Sequence, residues 1–271
     1  MTDAPNPAAK GRGGEIRINA LTKVFRTPPR DTLALSNIDH TIRPGRFCVL
    51  LGRSGCGKTT LLRMLGGLLT PTEGTIQVDG ATLYDSAGKP RADALGHLGF
   101  VFQEANLLPW RSVRANIELP MEVLKTPKEQ RRARAQELAQ LVGLEPFLDY
   151  LPARLSGGMR QRVSIARALT VEPSTLLMDE PFGALDALTR DSMNLLVQDL
   201  WMRLGTTVVL VTHSISEAIL LADEIVVLSP HPGRIQRVVE VPFARPRRPE
   251  LARDPAFHTM ADALRAEIGE V

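Results

Sequence analysis

Short apolar runs recur along the chain between about residue 15 and residue 230. Several are rich in β-branched residues or apolar at every position, which is typical of strands buried on both faces. The predicted strands are residues 15–19, 47–51, 75–79, 98–102, 175–179, 207–212 and 224–229. Helical patterns begin after some of them, at Lys58, Ala187 and Ser214. Because strands that alternate with helices form parallel sheets, we expect an α/β fold with its ligand site at the strands' carboxyl ends.

The middle of the chain lacks this alternation. Residues 112–124, 126–142 and 156–169 have helical periodicity with no strand between them, which predicts an all-helical subdomain at about 104–172. Basic residues between Lys125 and Arg134 have glutamates interleaved at helical spacing. We interpret them as a solvated helix face without a ligand.

Both ends of the chain differ in composition from its centre. Residues 1–14 are rich in Pro, Gly and Ala, which predicts a disordered tail before a globular part at 15–241. Residues 242–271 form a predicted C-terminal extension, with a Pro-rich linker and a short amphipathic helix at 256–268. The charges of this helix cancel, so packing is favoured over a membrane or nucleic-acid anchor.

Composition excludes several classes of protein. A chain of 271 residues, 44% hydrophobic and 23% charged, can bury a sizeable core, and a net charge of +3 is too weak to indicate a nucleic-acid partner. Two cysteines disfavour a disulfide framework and a structural zinc site. The apolar runs fall short of the ~20 residues that cross a bilayer. With no signal peptide visible, a cytoplasmic location is expected.

A glycine-rich loop, GRSGCGKTT, joins the strand at 47–51 to the helix at Lys58. This is the phosphate-binding loop pattern in its strand–loop–helix context. Lys58 is expected to reach the β- and γ-phosphates, and the Thr59 hydroxyl to bind Mg²⁺. A redox role for Cys56 is conceivable, but a space-filling role is favoured. The loop residues expected to bind the nucleotide are Gly52, Arg53, Ser54, Gly55, Cys56, Gly57, Lys58, Thr59 and Thr60.

Two acids follow one another at the end of the buried strand 175–179. Asp179 is the candidate Mg²⁺ ligand, and Glu180 is the candidate general base that polarises an attacking water. Such a pair also occurs as a solvated turn. Its position behind a phosphate loop favours the catalytic interpretation.

Residues 155–162, LSGGMRQR, resemble the signature sequence of ATP-binding cassette (ABC) proteins. Ser156 and the amides of Gly157 and Gly158 open a helix and offer a second anion-binding terminus. The resemblance covers about residues 15–240. It implies a P-loop ABC ATPase fold: a RecA-like core with an antiparallel β-subdomain and an inserted helical subdomain.

Further single residues resemble other conserved elements of that family. Gln103 resembles the glutamine of its Q-loop, His213 its switch histidine, Asp186 the aspartate of its D-loop, and Phe25 the aromatic residue that stacks on adenine. Each alone is also compatible with a structural role. The resemblance implies that Gln103 and His213 sense the γ-phosphate, with Gln103 joining Thr59 and Asp179 around Mg²⁺.

The resemblance also implies cofactors and an assembly. ATP and Mg²⁺ are the expected cofactors. A head-to-tail homodimer is expected, in which Ser156 and Gly158 of one copy complete the ATP site on Lys58 of the other. Closure on ATP and opening after hydrolysis are the expected power stroke.

A narrower resemblance comes from residues 179–190, DEPFGALDALTR, and from residues 212–235. Both are similar to nitrate/sulfonate/taurine importer ATPases and to their relatives for thiamine-precursor pyrimidines. This implies a peripheral ATPase on the cytoplasmic face of the inner membrane, with an integral-membrane permease, an extracytoplasmic solute-binding protein and no nucleic acid. Ser214, where many importers have Asp, and Arg53, where Pro is frequent, depart from the pattern.

Two alternatives remain open at this point. One is the ATPase of an ABC exporter or lipid-handling system, which has the same core. The other is a soluble ABC ATPase that acts on DNA or the ribosome. The second is disfavoured because the sequence has no long coiled-coil insert, zinc module or second cassette.

Overall fold

The computed structural model describes residues 13–26 and 28–269. The expected disordered tail therefore lies outside the described residues, except for its last two positions. Gly14 is buried, its N–H donates to the Ser174 carbonyl at 3.0 Å, and its own carbonyl accepts from Thr207 Oγ1 at 2.6 Å. The packed part of the chain thus begins before Glu15.

The elements alternate largely as the hydrophobic pattern predicts. The strands are β1 (Ile16–Phe25), β2 (Thr32–Ile42), β3 (Phe47–Leu51), β4 (Glu73–Val78), β5 (Ala81–Thr82), β6 (Leu98–Val101), β7 (Thr175–Asp179), β8 (Thr207–Val211), β9 (Glu224–Leu228) and β10 (Ile235–Glu240). The α-helices are α1 (Lys58–Leu65), α2 (Ala92–Leu95), α3 (Val113–Val123), α4 (Lys128–Leu141), α5 (Gly157–Leu169), α6 (Ala187–Leu204), α7 (Ile215–Leu221) and α8 (Pro255–Ile268).

The central sheet has the strand order β10-β9-β3-β8-β7-β6. Strands β9, β3, β8, β7 and β6 pair in parallel, and β10 pairs antiparallel at the edge. Strands β3, β7, β8 and β9 are buried at every position, as continuous apolar runs predict. The carboxyl ends of the parallel strands therefore meet at one edge, where the phosphate loop follows β3.

A second, antiparallel sheet has the order β2-β1-β4-β5 and packs over one face of the central sheet. The sequence pattern missed β2. Its buried residues are Ala34, Leu35, Ile38 and Ile42, which do not alternate, because Asn37 has φ 49° in the middle of the strand. The pattern also missed β10, since an exposed edge strand has few apolar positions.

Helices α3, α4 and α5 follow one another between β6 and β7 with no strand between them. Side-chain caps fix two of their starts. The Ser112 hydroxyl accepts from the Ala115 N–H at 3.3 Å, and the Ser156 hydroxyl accepts from the Met159 N–H at 3.2 Å. Within the described residues, no helix is long and apolar enough to cross a bilayer.

The C-terminal extension packs against the core. The expected helix is present as α8, which buries Phe257, Ala261 and Leu264. The expectation of a linker before it is wrong. The Arg247 side chain is buried there, and its guanidinium donates to carbonyls near the end of α7, including that of Ile219 at 2.8 Å. A buried guanidinium that meets several carbonyls fixes the segment in place.

Candidate nucleotide site

The phosphate loop runs from the end of β3 to the start of α1, as its sequence predicts. Gly57 caps α1 with φ 100°, in the left-handed region that favours glycine, and a Cβ there would lie 2.7 Å from Leu35 Cδ2. Lys58 Nζ donates to the carbonyls of Gly52 at 2.6 Å and Arg53 at 3.0 Å. The ammonium group is thus held along the inside of the loop.

A cavity of about 390 Å³ lies against this loop. Phe25, at the end of β1, contributes to its wall and is 37% exposed. The predicted adenine-stacking residue and the phosphate loop therefore face the same space. His231, which the sequence did not single out, also lines this space from the segment between β9 and β10. The lining residues are Phe25, Thr32, Ala34, Ser54, Gly55, Gly57, Lys58, Thr59, Thr60, Glu180 and His231.

Oxygen atoms suited to Mg²⁺ meet beside the loop. Thr59 Oγ1 donates to Asp179 Oδ1 at 2.8 Å, and Asp179 is only 5% exposed at the end of β7. Burial raises the pKa of Asp179, while the Thr59 hydroxyl and Arg63 oppose that rise. A hydroxyl and a carboxylate at this separation fit a hard cation that prefers oxygen ligands. Thr59 and Asp179 are the residues that would hold Mg²⁺.

Glu180 turns out of the strand immediately after Asp179. Its φ of 42° is uncommon for a non-glycine residue, and its N–H donates to the Val211 carbonyl at 3.0 Å. Glu180 Oε2 lies 3.2 Å from His213 Nδ1, and the glutamate lines the cavity. Backbone strain of this kind occurs where a side chain must be aimed. A carboxylate held by an imidazole in front of a phosphate loop can polarise water.

A second group of predicted residues is absent from the cavity lining of the same chain. Ser156 and Gly157 are exposed at the start of α5, and Asp186 caps α6 by accepting from the Thr189 N–H at 3.0 Å. That backbone hydrogen bond, with one from the Thr189 hydroxyl, lowers the pKa of Asp186. At Gly158, a Cβ would lie 2.6 Å from Thr189 Cγ2, so the signature helix approaches α6 closely.

Gln103 also lies outside the cavity lining. It is exposed just after β6, and the preceding carbonyl, that of Phe102, accepts from Gln161 Nε2 at 3.1 Å. The structure therefore ties the peptide before Gln103 to the signature helix, and among the described residues no hydrogen bond joins the Gln103 side chain to Thr59 or Asp179.

Three residues of the phosphate loop do not line the cavity. Arg53 is exposed, and Gly52 is buried, with space for no Cβ because Cys56 Sγ would lie 2.8 Å away. Cys56 is buried, and burial raises the pKa of its thiol despite the neighbouring Lys58. A raised pKa disfavours a reactive thiolate, which supports the space-filling interpretation.

The fold and the cavity define a P-loop ATPase of the ATP-binding cassette class. The ABC transporter family model matches residues 35–183. The chain belongs to this family, as its ATP-binding and ATP-hydrolysing subunit. The resemblance and the fold class predicted from sequence are confirmed.

Relatives cover nearly the whole chain. It is 42% identical to the taurine import ATP-binding protein of Pseudomonas aeruginosa over 94% of this chain and 96% of that protein. It is 40% identical to the nitrate import ATP-binding protein of a Synechocystis species over 92% and 93%, respectively. An uncharacterised ABC transporter ATP-binding protein of Methanocaldococcus jannaschii is 43% identical over 86% of this chain and 84% of that protein.

Solved structures agree with the fold. A dimeric, post-hydrolysis ATP-binding cassette bound to ADP and phosphate is 34% identical, with a TM-score of 0.73. The match covers 84% of this chain and all of that one.

Proposed function

We propose that this chain drives the import of a small solute of the taurine, other sulfonate or nitrate type. The observation that carries the proposal is the end-to-end match, over more than nine-tenths of both chains, with taurine and nitrate import ATP-binding proteins. The unmatched share of this chain is shorter than the 30-residue C-terminal extension, so the match includes at least part of that extension. No comparable observation favours an exporter or a nucleic-acid ATPase.

The proposed assembly has two copies of this chain arranged head to tail. Each copy places Lys58, Thr59 and Glu180 at its own cavity but leaves Ser156 exposed elsewhere. A second copy that brings its Ser156 to the cavity would supply the missing donors for a γ-phosphate. The dimeric cassette structure that matches this fold supports the arrangement.

The chemistry proposed for each site follows from the geometry of one copy. The loop amides and Lys58 bind the β- and γ-phosphates, and Phe25 packs on the base. Thr59 and Asp179 would hold Mg²⁺, which would neutralise phosphate charge when bound. Glu180 orients and polarises the attacking water, and His213 holds the Glu180 carboxylate in position.

In this proposal, the dimer binds to an integral-membrane permease on the inner face of the cell membrane. The permease receives solute from an extracytoplasmic binding protein. Solute selectivity then resides in those partners, so the ATPase alone does not define the solute.

Reconstitution of the complex tests the proposal. The chain is isolated from solubilised membranes of its source cell with its membrane subunits, and the complex is placed in liposomes with the co-encoded binding protein. We expect ATP-dependent movement of taurine, another sulfonate or nitrate from the side that holds the binding protein to the side that carries the ATPase, where the solute accumulates. A thiamine-precursor pyrimidine serves as the competing solute. ATP-driven movement of solute only from the ATPase side to the opposite side would refute import, as would association of the chain with ribosomes or DNA instead of membrane subunits.

A further inference from the structure

Three side chains of metal-binding type meet between the two sheets. They are His40 of β2, Cys48 of β3 and Glu224 of β9, and one donor atom of each lies within 4.8 Å of the others. None of the three lines the nucleotide cavity. The ATPase chemistry therefore leaves this cluster unexplained.

The strand pairing explains why they meet. Cys48 and Glu224 are register partners in the parallel pair of β3 and β9, so their side chains leave the same face of the central sheet. Cys48 belongs to the apolar layer between the sheets. On β2, His40 lies two residues from the buried Ile38 and Ile42, so it points into the same layer.

Polar atoms of this cluster lack hydrogen-bond partners. His40 Nε2 and Glu224 Oε1 are 3.6 Å apart, too far for a hydrogen bond, and neither atom has another partner. The Glu224 side chain is only 9% exposed and that of His40 only 13%. Native proteins rarely leave buried polar atoms unsatisfied, so such a pair requires an explanation.

The neighbouring arginines do not satisfy the Glu224 carboxylate. Arg46 forms its ion pair with Glu240, and Arg245 forms its own with Asp223 at 2.9 Å. Each nearby guanidinium is thus matched by another carboxylate. Glu224 is left facing an imidazole and a thiol.

We propose that His40 Nε2, Cys48 Sγ and Glu224 Oε1 bind one Zn²⁺ ion, with water as the fourth ligand. Tetrahedral zinc with bonds of about 2.0–2.3 Å separates its ligand atoms by about 3.3–3.8 Å, and His40 Nε2 and Glu224 Oε1 already have this spacing. A sulfur and a nitrogen ligand select zinc over Mg²⁺ and Ca²⁺, which prefer oxygen.

Binding changes the protonation of Cys48. Burial raises the pKa of the free thiol well above its ordinary value, and Glu224 adds to that rise. Coordination of the ion therefore forms the Zn–S bond and releases the thiol proton to solvent, one proton for each ion bound. The occupied site joins β2 of the antiparallel sheet to β3 and β9 of the central sheet.

Cobalt substitution tests the site on the untagged full-length chain without nucleotide, because ATP itself binds divalent ions. After addition of Co²⁺ and gel filtration, we expect one Co²⁺ per chain and a thiolate-to-cobalt charge-transfer band in the near ultraviolet. Zn²⁺ should displace the cobalt and abolish the band. An ion held by Thr59 and Asp179 would give no thiolate band, so this readout separates the two sites.

Matched variants assign the ligands. Cys48→Ser should abolish the band, whereas Cys56→Ser, which removes the only other cysteine of the sequence, should keep it. His40→Ala and Glu224→Gln should each weaken Co²⁺ binding at least about tenfold. His258→Ala, at an exposed histidine, should leave the affinity unchanged.

The wild-type chain alone can overturn the proposal. Absence of stoichiometric cobalt, or stoichiometric cobalt without the thiolate band, refutes binding of the ion by Cys48. Survival of the band in Cys48→Ser, or its loss in Cys56→Ser alone, also refutes it. If Cys48→Ser does not fold, the wild-type spectrum and the two other ligand variants still decide.

Discussion

The chain has two helix N-termini suited to phosphate, and they differ in how they are capped. At α1 the cap is Gly57, which has no side-chain acceptor, and the following Lys58 is buried at the cavity. At α5 the cap is Ser156, whose hydroxyl already accepts from the Met159 N–H. The first terminus lies at the nucleotide cavity of its own chain, and the second is exposed away from it.

The difference in capping leaves the two helix N-termini with different amide groups free for a phosphate. A glycine cap leaves the first-turn N–H groups of α1 without a side-chain acceptor, so they are available to a phosphate that the surrounding loop encloses. At α5, the Ser156 hydroxyl caps the helix by accepting from the Met159 N–H, while Ser156 and Gly157 stay exposed. In the proposed dimer, the second terminus would meet a phosphate only at the cavity of the other copy.

The largest expected effect comes from mixing two inactive variants. Lys58→Ala and Ser156→Arg should each lower ATP hydrolysis by about 10³-fold or more, since each removes charge stabilisation or blocks its approach. In a head-to-tail dimer, a mixed pair contains one site with both Lys58 and Ser156 intact. An equimolar mixture should therefore recover part of the ATP hydrolysis, measured as phosphate release.

The same mixture distinguishes an ATP site shared between two chains from an ATP site formed within one chain. If both termini served the ATP of a single chain, mixing would restore nothing. Mixing two preparations of the same variant is the matched control, and recovery in that control would contradict the trans arrangement.

The next effect concerns the carboxylate at the first terminus. Glu180→Gln should lower kcat by about 10²–10⁴-fold, because the amide cannot accept a proton from water, while ATP still binds and holds the dimer closed. Phosphate release and ATP-dependent dimerisation are the measurements. Glu250→Gln, at an exposed position in the extension, is the control. Turnover close to wild type in Glu180→Gln would remove the base assignment.

A smaller effect is expected at the oxygen pair beside the loop. Asp179→Asn should raise the Mg²⁺ concentration for half-maximal hydrolysis at least about tenfold, because the amide supplies no charge to the cation. As single variants, Thr59→Ser keeps the hydroxyl and should keep the wild-type Mg²⁺ dependence, whereas Thr59→Val removes the hydroxyl and should not. An unchanged Mg²⁺ requirement in Asp179→Asn would place the ion elsewhere.

The smallest effect is expected at Phe25. Base–aromatic stacking contributes about 1–3 kcal/mol, and a ring that is 37% exposed belongs at the lower end. Phe25→Ala should therefore raise KM for ATP about fivefold and leave kcat unchanged. Phe25→Tyr should keep the wild-type KM. A fall in kcat without a change in KM would mean that Phe25 acts on the fold rather than on the base.

The geometry of the phosphate loop follows the sequence closely, because the motif is contiguous. Strand β3, its glycine loop and Lys58 lie within a dozen residues, so spacing alone defines their geometry. The Thr59–Asp179 and Glu180–His213 contacts join distant segments, but each follows a buried strand, and parallel strands end at the same edge.

The parts that sequence missed depend on contacts between elements. His231 reaches the cavity from a turn with no motif, and Arg247 is buried only because carbonyls from several segments surround it. The His40, Cys48 and Glu224 cluster draws one residue from each of three strands. The two cysteines of the sequence do not have the spacing of a zinc motif, so the sequence does not predict this cluster.

One hydrogen bond joins the signature helix α5 to the segment that follows β6. Gln161 of the signature helix holds the Phe102 carbonyl, one residue before Gln103. In the proposed dimer, Ser156 faces the partner's ATP, whereas Gln103 follows β6 outside the cavity lining of its own chain. A displacement of α5 in that dimer would therefore pass through the Gln161 amide to the peptide that precedes Gln103.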